Sequence, residues 1–197
     1  MDWLVAGLGN PGKEYDLTPH NMGFMVCDSL SFLFNFEFGF QRKFQGLFGF
    51  FYLNTSKIGV LKPMTYMNLS GNSVASAVSF YNMAHSRLIV IHDDIDLQFG
   101  RIRIKKNSSS GGHKGVESVI RALGSQDFIR IKIGVGREGD PARYVLTKFN
   151  DEEIDLVKKI IEKASEAVVS IIKDGVAKTM SKYNNRMMLG VGEGERV

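Results

Sequence analysis

Apolar and polar positions alternate along this chain in a way that separates strands from helices. Trp3–Ala6 is a short continuous apolar run that stops at glycines and an Asn10-Pro11-Gly12 turn, the signature of a buried strand feeding a polar loop. After that loop, HNMGFMVCDSLSFLFNF carries Phe24, Cys27, Leu30 and Phe34 at helical spacing. KFQGLFGFFYLN and SKIGVLKP read as two strands of a hairpin, followed by a turn-rich connector, KPMTYMNLSG, whose Asn68 or Ser70 is placed to cap the next helix. That helix, NSVASAVSFYNMA, is rich in small residues.

RLIVIHDD is a second continuous apolar run, this one tipped with acids. GRIRIKK and FIRIKIGVG alternate Ile with Arg or Lys, as strands with one solvated face do, and flank the loop NSSSGGHKG and the helix VESVIRAL. REGDPARYVLTKFN reads as an irregular connector. From about Asp151 to Lys173, Ile154, Val157, Ile161, Ala164, Val168 and Ile171 form one helical face, with three acids at the N-terminal end where the helix dipole favours them. A last helix carries GVAKTMSKYNNRMM, and GVGEGERV is expected to fray. The order β-α-β-β-α-β-β-α-β-α-α predicts an α/β fold of three layers, a twisted mixed β-sheet flanked by helices, the hairpin making the sheet mixed. One domain over 1–189 with a flexible tail at 190–197 follows.

Composition narrows the class. At 197 residues, 44% hydrophobic and 23% charged, the chain is long enough for a substantial core and shows no run of apolar residues of membrane-spanning length. The start lacks the basic region of a signal peptide, and a single cysteine excludes an internal disulfide framework, so a cytoplasmic address is expected. Cys27 lies in an apolar helical stretch and reads as a small core residue. A net charge of +4 is mildly basic, compatible with a polyanionic partner without requiring one.

Candidate chemistry clusters where strands end. Gly7, Gly9 and Gly12 spell G-x-G-x-x-G, but Pro11 interrupts the motif and a polar loop separates it from the next helix, which argues against a dinucleotide site. Among four histidines, His20 sits in a polar loop at a strand tip, suited to general-base work if a carboxylate holds its other nitrogen. Asp93, Asp94 and Asp96 end another strand; they either serve His20 across a shared carboxyl edge, form a solvated turn, or make a hard-cation site with His92. Asn10 and Asn68 offer amide donors and acceptors, or are ordinary turn residues. The SSSGGHKG loop and the alternating cations Arg101, Arg103, Lys105, Arg130 and Lys132 fit a phosphodiester track or a solvated face equally.

GLGNPGKEYDLTPHNMGF, KPMTYMNLSG, HDDIDL, SSSGGHKG and FIRIKIGVG, in that order and with little change in spacing, resemble bacterial-type peptidyl-tRNA hydrolase from Trp3 to about Met188. The resemblance implies a monomeric α/β enzyme without metal or cofactor, cleaving the ester between a peptide and the 3′-terminal ribose of tRNA and so recycling tRNA. It implies His20 as general base, Asp93 as its orienting carboxylate, and Asn10 and Asn68 holding the substrate. It also implies Tyr15, Tyr66 and Met67 lining the site, and Lys105 and Lys132 clamping a terminal phosphate of the acceptor stem. The expected partner is therefore peptidyl-tRNA, through acceptor stem, 3′ end and peptide, with no membrane and no obligate protein partner. This chain departs from the pattern at Lys114, usually Asn and expected at the tRNA, at Pro19, usually basic, and in the serines of 107–110, where the family has more glycine. A catalytically silent RNA-binding relative of the splicing-factor kind, and a small-molecule hydrolase or phosphorylase on a similar sheet, are the competing classes.

Overall fold

The computed structural model describes residues 1–137 and 139–184. Seven strands form one sheet in the order β2-β3-β4-β1-β5-β7-β6. The strands are β1 (Trp3–Gly7), β2 (Gly39–Gln41), β3 (Gly46–Leu53), β4 (Ser56–Pro63), β5 (Leu88–Asp94), β6 (Ile102–Lys106) and β7 (Ile129–Gly134). The inner four, β4, β1, β5 and β7, run parallel; β3 and β6 run antiparallel to them on either side, and β2 pairs antiparallel with β3 at the edge. The expected hairpin is β3–β4, with Leu53 opposite Ser56, and it makes the sheet mixed.

The helices are α1 (Met22–Phe34), α2 (Ser70–Phe80), α3 (Lys114–Leu123), α4 (Pro141–Tyr144), α5 (Asp151–Asp174) and α6 (Val176–Asn184). One face of the sheet packs a core shared with α1 and α5, which includes Val5, Val26, Ile89, Ile131, Val157, Ile161 and Val168. The other packs Leu4, Ala6, Val90, Val74, Val116 and Val119 against α2 and α3. Leu4, Val5, Ala6 and Leu88–Ile91 are fully buried on both sides, which is why these strands read as unbroken apolar runs. Each such Leu, Ile or Val contributes about 2 kcal/mol by burial.

The apolar face of α5 is the one its spacing predicted, and Asn150 and Glu153 add a reciprocal capping box at its start. Cys27 is buried, and burial pushes its thiol up to about 12, so it stays protonated as core. Gly7 and Gly23 let α1 begin against the end of β1: a Cβ on Gly7 would lie 2.1 Å from the Gly23 carbonyl oxygen.

Several expectations need correction. Neither Asn68 nor Ser70 caps α2; the helix starts at Ser70 after Leu69 without a side-chain cap, following a 3-10 turn over Met67–Leu69. Among its described residues, the connector 137–150 holds one short helix, α4, started by Pro141 with Asp140 accepting from the Arg143 N–H. Strand β2 is too short to leave a periodic signal. The expected tail at 190–197 and the end of the last predicted helix lie outside the described residues. What the described part of α6 does is cover an edge: the Asn184 side chain accepts from the Ile104 N–H (2.7 Å) and donates to its carbonyl (2.9 Å), occupying the open side of β6.

Candidate active site

Parallel strands deliver their following loops to one edge, and here the connection reverses about β1: β4 is laid on one side and β5 on the other. Crevices in open α/β sheets form outside the carboxyl ends at such a reversal. A cleft of about 660 Å³ lies there, lined among others by Asn10 after β1, Met67 and Asn68 after β4, Asp93 at the end of β5, and His20. A second cavity of about 500 Å³, behind Pro19 and bounded by Arg143, Lys148 and Glu153, holds no histidine.

His20 belongs to a 3-10 turn over Pro19–Asn21, whose first position suits proline because its missing N–H is not needed there. The His20 backbone N–H donates to the Val145 carbonyl (3.0 Å), fastening this loop to the segment after α4. Its Nδ1 lies 2.9 and 3.0 Å from the two oxygens of Asp93. A carboxylate only accepts, so Nδ1 carries the proton and Nε2 keeps its lone pair.

Asp93 is 2% exposed and also accepts from His113 Nε2–H at 2.9 Å. Burial by itself would raise its pKa; the two imidazoles outweigh that and hold the carboxyl well below the usual carboxylate range. His113 has a fixed tautomer, because its Nδ1 accepts the Val116 N–H (3.2 Å) as the N-cap of α3. His20, Asp93 and His113 are the one group among the described residues whose ligand atoms lie close enough to hold a metal ion. Ligation would need both protons removed from Asp93's partners and the α3 cap given up, so the arrangement is suited to proton transfer. His92 is not in the group: it is buried, donates Nδ1–H to the Asp93 carbonyl (2.6 Å), and is kept neutral chiefly by burial and by His113. The hard-cation alternative with His92 is not assembled.

Asn10 is held by a two-bond clamp: its N–H donates to Asn21 Oδ1 (2.8 Å) and its carbonyl accepts from Asn21 Nδ2 (3.0 Å). Asn10 Oδ1 accepts the Met67 N–H (2.9 Å), which turns the amide nitrogen into the role of donor toward the cleft. Asn68 and Tyr66 are exposed on the rim, and Met67 is buried beneath them. Lys114 lines the cleft as the first residue of α3, where the helix dipole disfavours a cation and an anionic ligand would favour it. Ile95, Pro141, Ala142, Val145 and Leu146 make the opposite wall apolar.

A model of the peptidyl-tRNA hydrolase family matches residues 4–190. The chain belongs to the peptidyl-tRNA hydrolase family. It is 46% identical to the peptidyl-tRNA hydrolase of Caldanaerobacter subterraneus subsp. tengcongensis over 92% of this chain and 99% of that one. It is 45% identical to that of Clostridium beijerinckii over 92% and 95%. Among solved structures, peptidyl-tRNA hydrolase from Acinetobacter baumannii superposes with a TM-score of 0.87 at 33% identity, over 93% of this chain and 94% of that one. A peptidyl-tRNA hydrolase complexed with N-propanol superposes with a TM-score of 0.88 at 33% identity, over 95% and 96%.

Within this peptidyl-tRNA hydrolase fold, His20, Asp93, Asn10, Tyr66, Met67, Asn68 and Lys114 share the cleft. Tyr15 does not line it; it sits half-buried in the preceding turn, where its carbonyl accepts from Thr18 Oγ1. Lys105 and Lys132 stand outside the cleft on β6 and β7, and Lys132 forms an ion pair with Asp94. The residues the sequence reading missed are His113 and Asn21. A histidine directly before a helical pattern was a cap signal for the first, and nothing in spacing marked the second. No helix among the described residues is long and apolar enough to cross a membrane.

Proposed function

We propose that this chain hydrolyses the ester linking the peptide to the 3′-terminal ribose of peptidyl-tRNA, with His20 as general base. The observation that carries the reading is the His20–Asp93 pair at 2.9 Å, which leaves Nε2 free at a cleft edged by amide donors. His20 Nε2 takes a proton from water as the water oxygen bonds to the ester carbonyl carbon. Asp93 stabilises the imidazolium without taking its proton, and Asn10 Nδ2 and the Asn68 amide offer hydrogen bonds to the developing oxyanion. The carbon–oxygen bond to ribose then breaks, and the imidazolium returns its proton to the leaving oxygen, releasing peptide and tRNA. Tyr66, Met67 and Lys114 hold the terminal nucleotide, the apolar wall takes the peptide, and Lys105 and Lys132 meet a phosphate of the acceptor stem. The enzyme acts in the cytoplasm as a monomer.

The test is release of an N-blocked amino acid or peptide from tRNA, beside unblocked aminoacyl-tRNA. Cleavage of the blocked substrate with the free one spared is the expected result. Tight tRNA binding with neither substrate cleaved would favour the silent RNA-binding relative.

A further inference from the structure

The antiparallel register of β6 and β7 sets Arg103 opposite Lys132 and Lys105 opposite Arg130. Directly opposed residues share a sheet face, so four cations stand together while the intervening isoleucines enter the core. Like charges placed opposite one another weaken a sheet, and nothing in the packing requires them. Arg130 is 2% exposed; one of its terminal nitrogens donates to Ser108 Oγ and Nη1 has no partner. A buried guanidinium with an unmet donor is costly unless an anion completes it.

Against the four cations the protein sets one carboxylate. Asp94 pairs with Lys132, the only ion pair any of the four makes among the described residues. Both side chains are largely shielded, at 10% and 18% exposure, so water screens the pair poorly. Asp94 Oδ1 accepts the Asp96 N–H (2.9 Å) in the turn that lines the cleft. One carboxylate thus touches both the cation group and the wall of the active site.

We propose that Asp94 competes with an RNA phosphate for Lys132 and so sets how tightly the acceptor stem is held. The inference rests on the reading that Lys105 and Lys132 face a stem phosphate. A phosphate arriving at Lys132 replaces a carboxylate already there and meets its negative charge, which lowers affinity and lets the product tRNA leave. Asp94 is a specificity-determining residue in this scheme; it touches no reacting atom.

The test measures binding of a CCA-ended acceptor-stem RNA hairpin carrying either a 5′-monophosphate or a 5′-hydroxyl. Four proteins are compared: wild type, Asp94→Asn, Lys132→Gln and the double variant. Asparagine keeps the acceptor for the Asp96 N–H, so the turn stays. Asp94→Asn is expected to bind the phosphorylated hairpin about threefold to tenfold tighter, with little change for the hydroxyl form. That gain should vanish in the Lys132→Gln background. Phosphate-dependent binding in wild type that Asp94→Asn leaves unchanged or weakens would overturn the inference alone. Equal binding of both hairpins by wild type and Lys132→Gln would overturn the phosphate reading and the inference with it.

Discussion

His113 does two separable things, and a pair of substitutions divides them. Its Nδ1 caps α3, and its Nε2–H is one of two donors to a carboxylate that is almost wholly buried. Loss of an N-cap costs about 1 kcal/mol. Loss of a charge-assisted hydrogen bond to a buried acceptor costs about 1.5–3 kcal/mol. His113→Ala removes both and should lower unfolding stability by about 2.5–4 kcal/mol. His113→Asn is a good cap but too short to reach Asp93, so it should cost only about 1.5–3 kcal/mol. With one imidazole gone, burial weighs more on Asp93, its carboxyl moves up from its depressed position, and its hold on His20 loosens. Both variants should then lose about tenfold to a hundredfold in kcat, because misplacing a base by a fraction of an ångström carries penalties of that order. Urea unfolding and hydrolysis of an N-blocked substrate read these effects. If His113→Asn keeps the wild-type kcat, the view that Asp93 is held from both sides is wrong.

Two further expectations concern the frame of the site. His92 is kept neutral when folded but titrates freely when unfolded, so the unfolded state binds more protons below about pH 6.5. Stability from this group is full above that pH and should fall on acidification by up to about 1.4 kcal/mol per unit. His92→Gln should flatten that slope in urea titrations, and an unchanged slope would remove His92 as its source. Gly23→Ala forces a Cβ to 2.3 Å from the Leu8 backbone nitrogen and should cost more than about 3 kcal/mol or prevent folding, read by the thermal midpoint. A variant as stable as wild type would show that α1 can withdraw from β1.

Much of this was readable from residues, and the exceptions share a cause. Trp3–Ala6 and RLIVIHDD announce themselves because strands buried on both faces need unbroken apolar runs, and acids at a strand tip mark the carboxyl edge. The period of α5 and the hairpin are equally local. His113 was not legible as Asp93's second partner because the contact depends on how the loop after β6 climbs back over the sheet. The Asp94–Lys132 pair was hidden for a similar reason: it follows from the register of β5 on β7, which places His92 beside Lys132 and Asp94 beside Gly134. Tyr15 does not line the cleft, since a sequence motif keeps a residue near the site in the chain without fixing its place in space.

The central claim is that the imidazole of His20, oriented by Asp93, activates the water that cleaves the ester. The most direct measurement is single-turnover release of an N-blocked peptide from tRNA by wild type and by His20→Ala, with tRNA affinity measured alongside. Release is expected to fall by a factor of about 10² to 10⁴ while tRNA affinity stays within about twofold. Release at the wild-type rate by His20→Ala would contradict it and move the base to another residue.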